Sequence, residues 1–149
     1  GLFGTFARPN YAAAKLGQIG GMQVLTLEAL KYGIGVNAIS PAAATRMTAD
    51  VAQASGTPPE CVTPAVIYLA SEACRQSGLI IRAQGGFFSR QGICFNPGVA
   101  FGPEPVAAED LAAHWEEITD LGSMRCFEPG MKVAELIRSG ARALPAPRR

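Results

Sequence analysis

The fold is indicated most clearly by residues 9–41, PNYAAAKLGQIGGMQVLTLEALKYGIGVNAISP. Residues 9–32 contain no proline after Pro9 and repeat their apolar side chains at helical spacing. Pro9 suits the first turn of a helix, and Gly33 suits the position just past its end, where glycine adopts a left-handed backbone most easily. Residues 35–41 then form a short run that stops at a proline, which is typical of a strand. The segment therefore predicts a helix over 9–32 followed by a strand.

The alternation of helix and strand continues downstream. Residues 59–73 have an amphipathic helical pattern, and the apolar residues 79–81 predict a second strand. Helices that alternate with apolar strands are typical of a parallel sheet covered by helices. Because two such strands leave edges and faces uncovered, we expect the chain to be the later part of a larger doubly wound α/β unit whose other strands precede Gly1.

The last third of the chain has a different character. Residues 87–105 are rich in glycine, proline and aromatic side chains without periodicity, so we expect an ordered extended loop there. Two helices are predicted after this loop, over 106–120 and 130–140. We assign the side chains of His114 and Trp115 to packing of this helical region rather than to ligand binding.

The composition excludes several classes of protein. Of the 149 residues, 48% are apolar and 17% charged, which excludes disorder for most of the length, and the net charge of +1 offers no basic surface for nucleic acid phosphates. His114 is the single histidine, so a multi-histidine metal site is excluded. No apolar run approaches the ~20 residues of a membrane span. The chain has four widely spaced cysteines, Cys61, Cys74, Cys94 and Cys126. Their spacing suits reduced thiols in a cytoplasmic protein, although the sequence does not forbid disulfide pairing.

Tyr11 and Lys15 could carry proton chemistry. They lie four positions apart at the start of the predicted helix, so both project from one face, about 6 Å apart along the axis. A phenol with a pKa near 10 is a poor proton shuttle, and lowering that pKa by about 3 units requires about 4 kcal/mol. An ammonium at ~4 Å and an effective dielectric of ~20 contributes about 4 kcal/mol toward the phenolate. Lys15 is therefore expected to lower the pKa of Tyr11, unless the two form an ordinary surface aromatic beside a solvated lysine.

The motifs around this pair are informative in combination: GLFG at 1–4, NYAAAKLG at 10–17 and GIGVNAISP at 33–41. Together they resemble the short-chain dehydrogenase/reductase family, in which N-Y-x-A-A-K-x-G precedes a G-I-x-V-N-x-I-x-P strand. The resemblance covers residues 1–90 and implies the later part of a Rossmann-type parallel sheet, with residues 91–149 as a loop and helical C-terminal extension. It also implies hydride transfer with NAD or NADP, NAD being favoured.

The resemblance assigns roles to the Tyr–Lys pair. Tyr11 would be the general acid or base, and Lys15 would hold the nicotinamide ribose hydroxyls as well as tune Tyr11. The family's serine and its Gly-rich phosphate loop fall before Gly1, so an incomplete active site is expected here. Residues 33–38 do match G-x-G-x-x-A, but they end a helix and open a strand, the reverse of a dinucleotide-binding loop. We therefore interpret them as structural.

The loop after the predicted strand provides a closer likeness. Residues 41–48 read PAAATRMT, with alanine second where most of the family has glycine. With residues 104–121, this pattern resembles the hydroxyacyl-CoA dehydrogenase domain of the peroxisomal multifunctional enzyme type 2 group. The likeness implies a 3-hydroxyacyl-CoA substrate and cofactor contacts from Pro41, the backbone around Ala44 and the Thr45 hydroxyl. Alternatively, Thr45 only caps the next short helix.

Three glycines, Gly17, Gly20 and Gly21, lie inside the predicted helix. Each costs about 1 kcal/mol relative to alanine, so a close contact should compensate. The family forms dimers through this helix, which implies a homo-oligomer through residues 9–32. A local bend or tight packing against the chain's own sheet is the alternative.

Two further functions remain open beside the nicotinamide-dependent oxidoreductase. One is a non-catalytic segment that acts in assembly through the glycine-bearing helix and the C-terminal extension. The other is a generic carbonyl or 3-oxoacyl reductase, which assays of acyl-CoA thioesters against small ketones would distinguish from a hydroxyacyl-CoA dehydrogenase.

Overall fold

The chain folds into two compact units, Gly1–Gly92 and Ile93–Arg149. The computed structural model describes these residues: 3–4, 6–46, 57–126, 129 and 142–143. The helix predicted over 130–140 and the end of the 41–48 motif lie outside the described residues.

The first unit begins with a long helix, α1, over Pro9–Ala29, which continues as a 3-10 turn over Leu30–Tyr32. Pro9 occupies the first turn, where its missing N–H costs no hydrogen bond. Gly33 ends the helix with a positive φ of 68°, and its N–H donates to the Leu30 carbonyl at 3.1 Å. The predicted helix over 9–32 and its glycine stop are confirmed.

Three strands form the sheet of this unit. Strand β1, Ala38–Ala42, pairs in parallel with β2, Ile80–Gln84, and places Ser40 opposite Arg82. Between them lie a 3-10 turn and helix α2, Thr63–Ala70. The parallel pair with its helical crossover confirms the predicted α/β fold. Within the described residues, β1 has a strand partner on one edge only.

The third strand corrects the extended loop predicted over 87–105. Strand β3, Phe87–Gln91, returns antiparallel to β2 and forms the other edge of the sheet. The turn is the pair Gly85 and Gly86, with φ of 55° and 81°, a geometry that twists the strands correctly and favours glycine at both positions. The available signal was therefore a two-glycine turn between two short runs. The prediction is wrong because β3 is stabilised by its pairing with β2 and has no periodicity of its own.

A small core joins α1 to the sheet. The buried apolar side chains are Met22, Leu79, Ile80 and Ala83. Thr26, also buried, donates its hydroxyl to the Met22 carbonyl at 2.9 Å and lies 3.3 Å from the Val36 carbonyl. This hydroxyl contacts the segment that leads into β1, so it fixes where α1 lies relative to that strand.

Hydrogen bonds also align the starts of β1 and β2. The Asn37 amide donates to the Gln76 carbonyl at 3.1 Å, and its oxygen accepts the Leu79 N–H at 2.9 Å. The Val36 N–H donates to the Ser77 hydroxyl at 2.9 Å, and that hydroxyl lies 3.2 Å from the Val36 carbonyl. We call these five residues, Val36, Asn37, Gln76, Ser77 and Leu79, the strand-start cluster. It sets the register of the parallel pair before the ladder begins.

The second unit contains short elements. Strand β4, Cys94–Phe95, pairs antiparallel with β6, Arg125–Cys126. Strand β5, Val99–Ala100, pairs in parallel with β7, Arg142–Ala143. Among the described residues of this unit, two helices are present: α3, Ala108–Ala113, and α4, Trp115–Ile118.

The single helix predicted over 106–120 is therefore wrong, because the chain breaks at His114, with φ −112° and ψ 15°. The His114 ring packs edge-on against Phe101, with centroids 5.5 Å apart, and its Nδ1 lies 3.2 Å from the Glu117 carboxylate. His114 thus has the packing role assigned to it. Trp115 is 54% exposed, so the same assignment for Trp115 is not supported within the described chain.

Candidate functional site

One face of α1 and the first two strands enclose a cavity of about 290 Å³. The helix contributes Tyr11, Lys15, Gln18 and Ile19, whose spacing of four, three and one positions lies along one face. The residues that line the cavity are Phe3, Tyr11, Lys15, Gln18, Ile19, Ala38, Ile39, Ser40, Pro41, Ile80 and Arg82. The structure therefore brings together three of the predicted site residues, Tyr11, Lys15 and Pro41.

The Tyr–Lys pair has the geometry expected from its spacing. The Lys15 Nζ atom lies 5.7 Å from the centroid of the Tyr11 ring. This distance is within the ~6 Å over which an ammonium is attracted to an aromatic ring. Tyr11 is 49% exposed, so its ring is not enclosed in hydrocarbon.

A second Tyr–Lys pair, in the 3-10 turn that follows α1, provides an internal comparison. The Lys31 Nζ atom lies 4.8 Å from the centroid of the Tyr32 ring, which is closer than in the first pair. Tyr32 is 68% exposed, and neither residue lines the cavity. Closeness of a lysine to a tyrosine therefore does not by itself make a site. What distinguishes Tyr11 and Lys15 is that both face an enclosed volume.

Arg82 is a cavity residue that the sequence reasoning missed. It lies on β2 opposite Ser40 of β1, and its guanidinium donates to the Gln84 side chain. The available signal was a single cation between the apolar residues Ile81 and Ala83 of this strand. With Lys15 it gives the cavity two cationic groups, and no Asp or Glu is among the described residues that line it. The cavity therefore favours ligands with electron-rich or anionic groups.

Ala44 and Thr45, predicted to contact the cofactor, are not among the residues that line this cavity. The Ala44 N–H donates to the Thr57 carbonyl at 2.7 Å, which ties this loop to the segment before α2. The cofactor role of the two residues stays a prediction. Pro41, the first residue of the same motif, does face the cavity.

The structure tests the predictions made for two groups of glycines, those of segment 33–38 and those inside α1. The segment 33–38, which matches G-x-G-x-x-A, ends α1 and leads into β1, as expected for a structural turn rather than a phosphate loop. A Cβ added at Gly17, Gly20 or Gly21 would meet no atom within 4 Å. Tight packing of these glycines against the chain's own sheet is therefore wrong for the described residues.

The described residues contain no group of three or more His, Cys, Asp or Glu side chains placed to hold a metal ion. None of the described helices is both long and apolar enough to cross a bilayer.

Comparisons with known proteins place this geometry in context. A protein of Mycobacterium tuberculosis assigned to the short-chain dehydrogenase/reductase type is 42% identical over 128 residues, 84% of this chain and 44% of the relative. The peroxisomal hydratase-dehydrogenase-epimerase of Saccharomyces cerevisiae is 38% identical over 125 residues, 80% of this chain and 14% of that protein. The chain thus spans less than half the length of both relatives. No family model matches the chain.

A solved structure extends the likeness of fold. Full-length peroxisomal multifunctional enzyme type 2 from Drosophila melanogaster superimposes with a TM-score of 0.74, at 24% identity, over 93% of this chain and 25% of that one. At this identity the match concerns the fold alone. It covers nearly all of this chain.

Proposed function

The chain is a homologue of the short-chain dehydrogenases/reductases, and on this premise we propose that it is part of an oxidoreductase that transfers a hydride between a nicotinamide cofactor and a hydroxyl or carbonyl substrate. The observation that carries the proposal is the shared cavity of Tyr11 and Lys15 beside Pro41. Ligands of α/β proteins bind at the carboxyl ends of parallel strands, and Pro41 is the second-last residue of β1.

The residues of the cavity fit part of a nicotinamide cofactor. The cavity volume of about 290 Å³ lies at the lower limit of the ~300–1,000 Å³ typical of small-molecule sites, so the cavity would hold one portion of a dinucleotide. The Lys15 ammonium offers three N–H donors to ribose hydroxyls, and Pro41 adds an apolar wall. Ala44 and Thr45 would contact the cofactor beyond this cavity. The cofactor, when bound, supplies the hydride acceptor or donor.

The proton chemistry belongs to this chain. Tyr11 would accept the proton of a substrate hydroxyl as the hydride leaves the carbon that bears this hydroxyl. In the reverse direction, Tyr11 would donate a proton to the carbonyl oxygen. Lys15 would stabilise the phenolate that forms when Tyr11 has donated its proton, because the ammonium faces the ring from 5.7 Å. Arg82 adds a second positive charge to the same volume.

The experiment compares Tyr11→Phe with Tyr32→Phe in the complete protein. Loss of the Tyr11 hydroxyl should lower kcat by ~10²–10⁴-fold, the range that general acid–base catalysis contributes, with little change in cofactor affinity. Tyr32→Phe removes the same atom from a Tyr–Lys pair outside the cavity and should leave kcat within about twofold. Lys15→Met should lower both kcat and cofactor affinity. Turnover is followed by the absorbance of the reduced nicotinamide, and binding by titration of cofactor fluorescence.

Two results would contradict the proposal. Tyr11→Phe with wild-type turnover would remove Tyr11 from catalysis. Equal losses in Tyr11→Phe and Tyr32→Phe would assign the effect to folding, because the second tyrosine is outside the cavity.

The substrate we propose is a 3-hydroxyacyl-CoA. The supporting observations are the 41–48 and 104–121 patterns and the relatives named as hydratase-dehydrogenase-epimerases. Higher kcat/KM for small ketones than for acyl-CoA thioesters would favour a generic carbonyl or 3-oxoacyl reductase.

We also propose a homo-oligomer through the 9–32 helix, whose glycine positions have open space above them. A cytoplasmic location is proposed on the four free cysteines, with the peroxisomes of several relatives as the alternative.

A further inference from the structure

The second unit brings two cysteines together. Cys94 on β4 and Cys126 on β6 are 32 positions apart in sequence but lie directly opposite each other in the antiparallel pair. Their Sγ atoms are 3.2 Å apart, and both thiols are free. We propose that Cys94 and Cys126 form a reversible redox modification site, at which the dithiol is oxidised to an intramolecular disulfide by exchange with a small-molecule disulfide.

The backbone already has the dimensions that a disulfide needs. Residues directly opposite in an antiparallel pair have Cα atoms about 4.5–5.5 Å apart, inside the ~4.4–6.8 Å range of disulfides. The sulfur atoms must close from 3.2 Å to about 2.05 Å, which side-chain rotation can provide. The other two cysteines, Cys61 and Cys74, lie in the first unit on either side of α2. The structure thus selects one pair out of the six possible pairs of four cysteines.

Glutathione disulfide is the oxidant in this exchange, so no metal or flavin is required. A thiolate attacks one sulfur of glutathione disulfide, forms a protein–glutathione disulfide and releases one glutathione thiolate. The second cysteine, after losing its proton to solvent, attacks the protein sulfur of that mixed disulfide and releases the second glutathione. The two cysteine sulfurs are oxidised, and both glutathione sulfurs are reduced. Excess reduced glutathione reverses both steps.

The surroundings of the two thiols assign the order of attack. Cys126 is exposed, whereas Cys94 is half-buried, so the external disulfide reaches Cys126 first. The hydrogen bond with Cys126 raises the pKa of Cys94, with smaller contributions from desolvation and from the charge of Cys126. Cys94 is therefore the poorer first nucleophile and suits the second, intramolecular step, in which its target is held beside it.

The test uses the full chain, incubated with glutathione disulfide, quenched with acid and digested with trypsin. Cys94 and Cys126 fall in different peptides, 91–125 and 126–132, because Arg125 separates them. Cys61 and Cys74 fall together in 47–75. We expect the free thiols to fall from four to two and peptides 91–125 and 126–132 to be joined. The same incubation in denaturant should reduce the joined fraction severalfold, because unfolding separates the two strands.

Variants separate the two steps. Cys94→Ser should trap a lasting glutathione adduct on Cys126, and Cys126→Ser should react more slowly at Cys94. The double change Cys61→Ser and Cys74→Ser is the matched control and should leave the 94–126 link intact. The proposal is overturned if Cys94 and Cys126 carry separate glutathione adducts in the unmodified chain. It is also overturned if either of them links mainly to Cys61 or Cys74, or if denaturant leaves the yield of the link unchanged.

Discussion

Asn37 makes two side-chain hydrogen bonds across the start of the parallel pair. Its side-chain oxygen accepts the Leu79 N–H at 2.9 Å, and its amide donates to the Gln76 carbonyl at 3.1 Å. Asn37→Ala removes both bonds, whereas Asn37→Asp keeps the acceptor and removes only the donor. Comparison of the two variants therefore separates the bond to Leu79 from the bond to Gln76.

The expected magnitudes follow from the burial of the partners. Leu79 is 7% exposed, so its N–H loses its protein acceptor in Asn37→Ala where water has little access. An unsatisfied buried donor costs about 1–3 kcal/mol. A local loss of ~2 kcal/mol corresponds to a roughly 30-fold change in an equilibrium constant. In Asn37→Asp the Leu79 N–H keeps a carboxylate acceptor, and the cost falls mainly on the Gln76 carbonyl.

Amide hydrogen exchange of Leu79 is the direct assay, because local opening free energies control exchange from single amides. Asn37→Ala should exchange the Leu79 amide about 30-fold faster than the unmodified protein, and Asn37→Asp should stay within a few-fold. Equal acceleration in both variants would refute the assignment of the side-chain oxygen as the acceptor. An unchanged Leu79 amide in Asn37→Ala would refute the importance of the bond itself.

Two further predictions concern the second unit. The Asn96 amide donates to three carbonyls at and just after the end of α4, including that of Ile118 at 2.8 Å. Asn96→Asp replaces this donor by an acceptor and should lower the free energy of unfolding by about 2 kcal/mol. Urea titrations should show a larger loss for Asn96→Asp than for Asn96→Gln. The Gly122 N–H, and then the Ser123 hydroxyl, lower the pKa of Asp120 in the folded chain. Because the folded pKa lies below the unfolded one, this stabilisation is present above the usual aspartate pKa of 3.8 and is lost as the pH falls through the folded value. Asp120→Asn should flatten the dependence of the unfolding midpoint on pH below about 4, and an unchanged slope would show that Asp120 contributes nothing to it.

The sequence predicted the first unit better than the second for a physical reason. Helix α1 is long, has a proline in its first turn and a glycine stop, so local signals and tertiary packing agree. The hairpin to β3 depends on pairing with β2, and its two adjacent, exposed aromatic residues Phe87 and Phe88 hide the alternation that marks a strand. The helix break occurs at His114, whose ring contacts Phe101, a residue outside 106–120.

The candidate site could be predicted only in part, for a similar reason. The four-residue spacing of Tyr11 and Lys15 places them on one face whatever surrounds the helix, so their proximity follows from the sequence. The same sequence contains Lys31 beside Tyr32, and only the cavity distinguishes the two pairs. Arg82 required the pairing of β1 with β2, which is not encoded near either strand.

The register of that pairing connects the strand-start cluster to the site. Ile80 and Arg82 line the cavity of Tyr11, whereas Leu79 and Ile81 line a separate apolar cavity on the opposite face of β2. Successive side chains of a strand alternate between faces, so a shift of β2 by one residue would move Arg82 to the apolar side and Ile81 toward Tyr11. Asn37 opposes such a shift because its two bonds fix Gln76 and Leu79, on either side of the turn into β2. The bonds of Asn37, a residue outside the cavity, therefore help to keep Arg82 on the face of β2 that lines it.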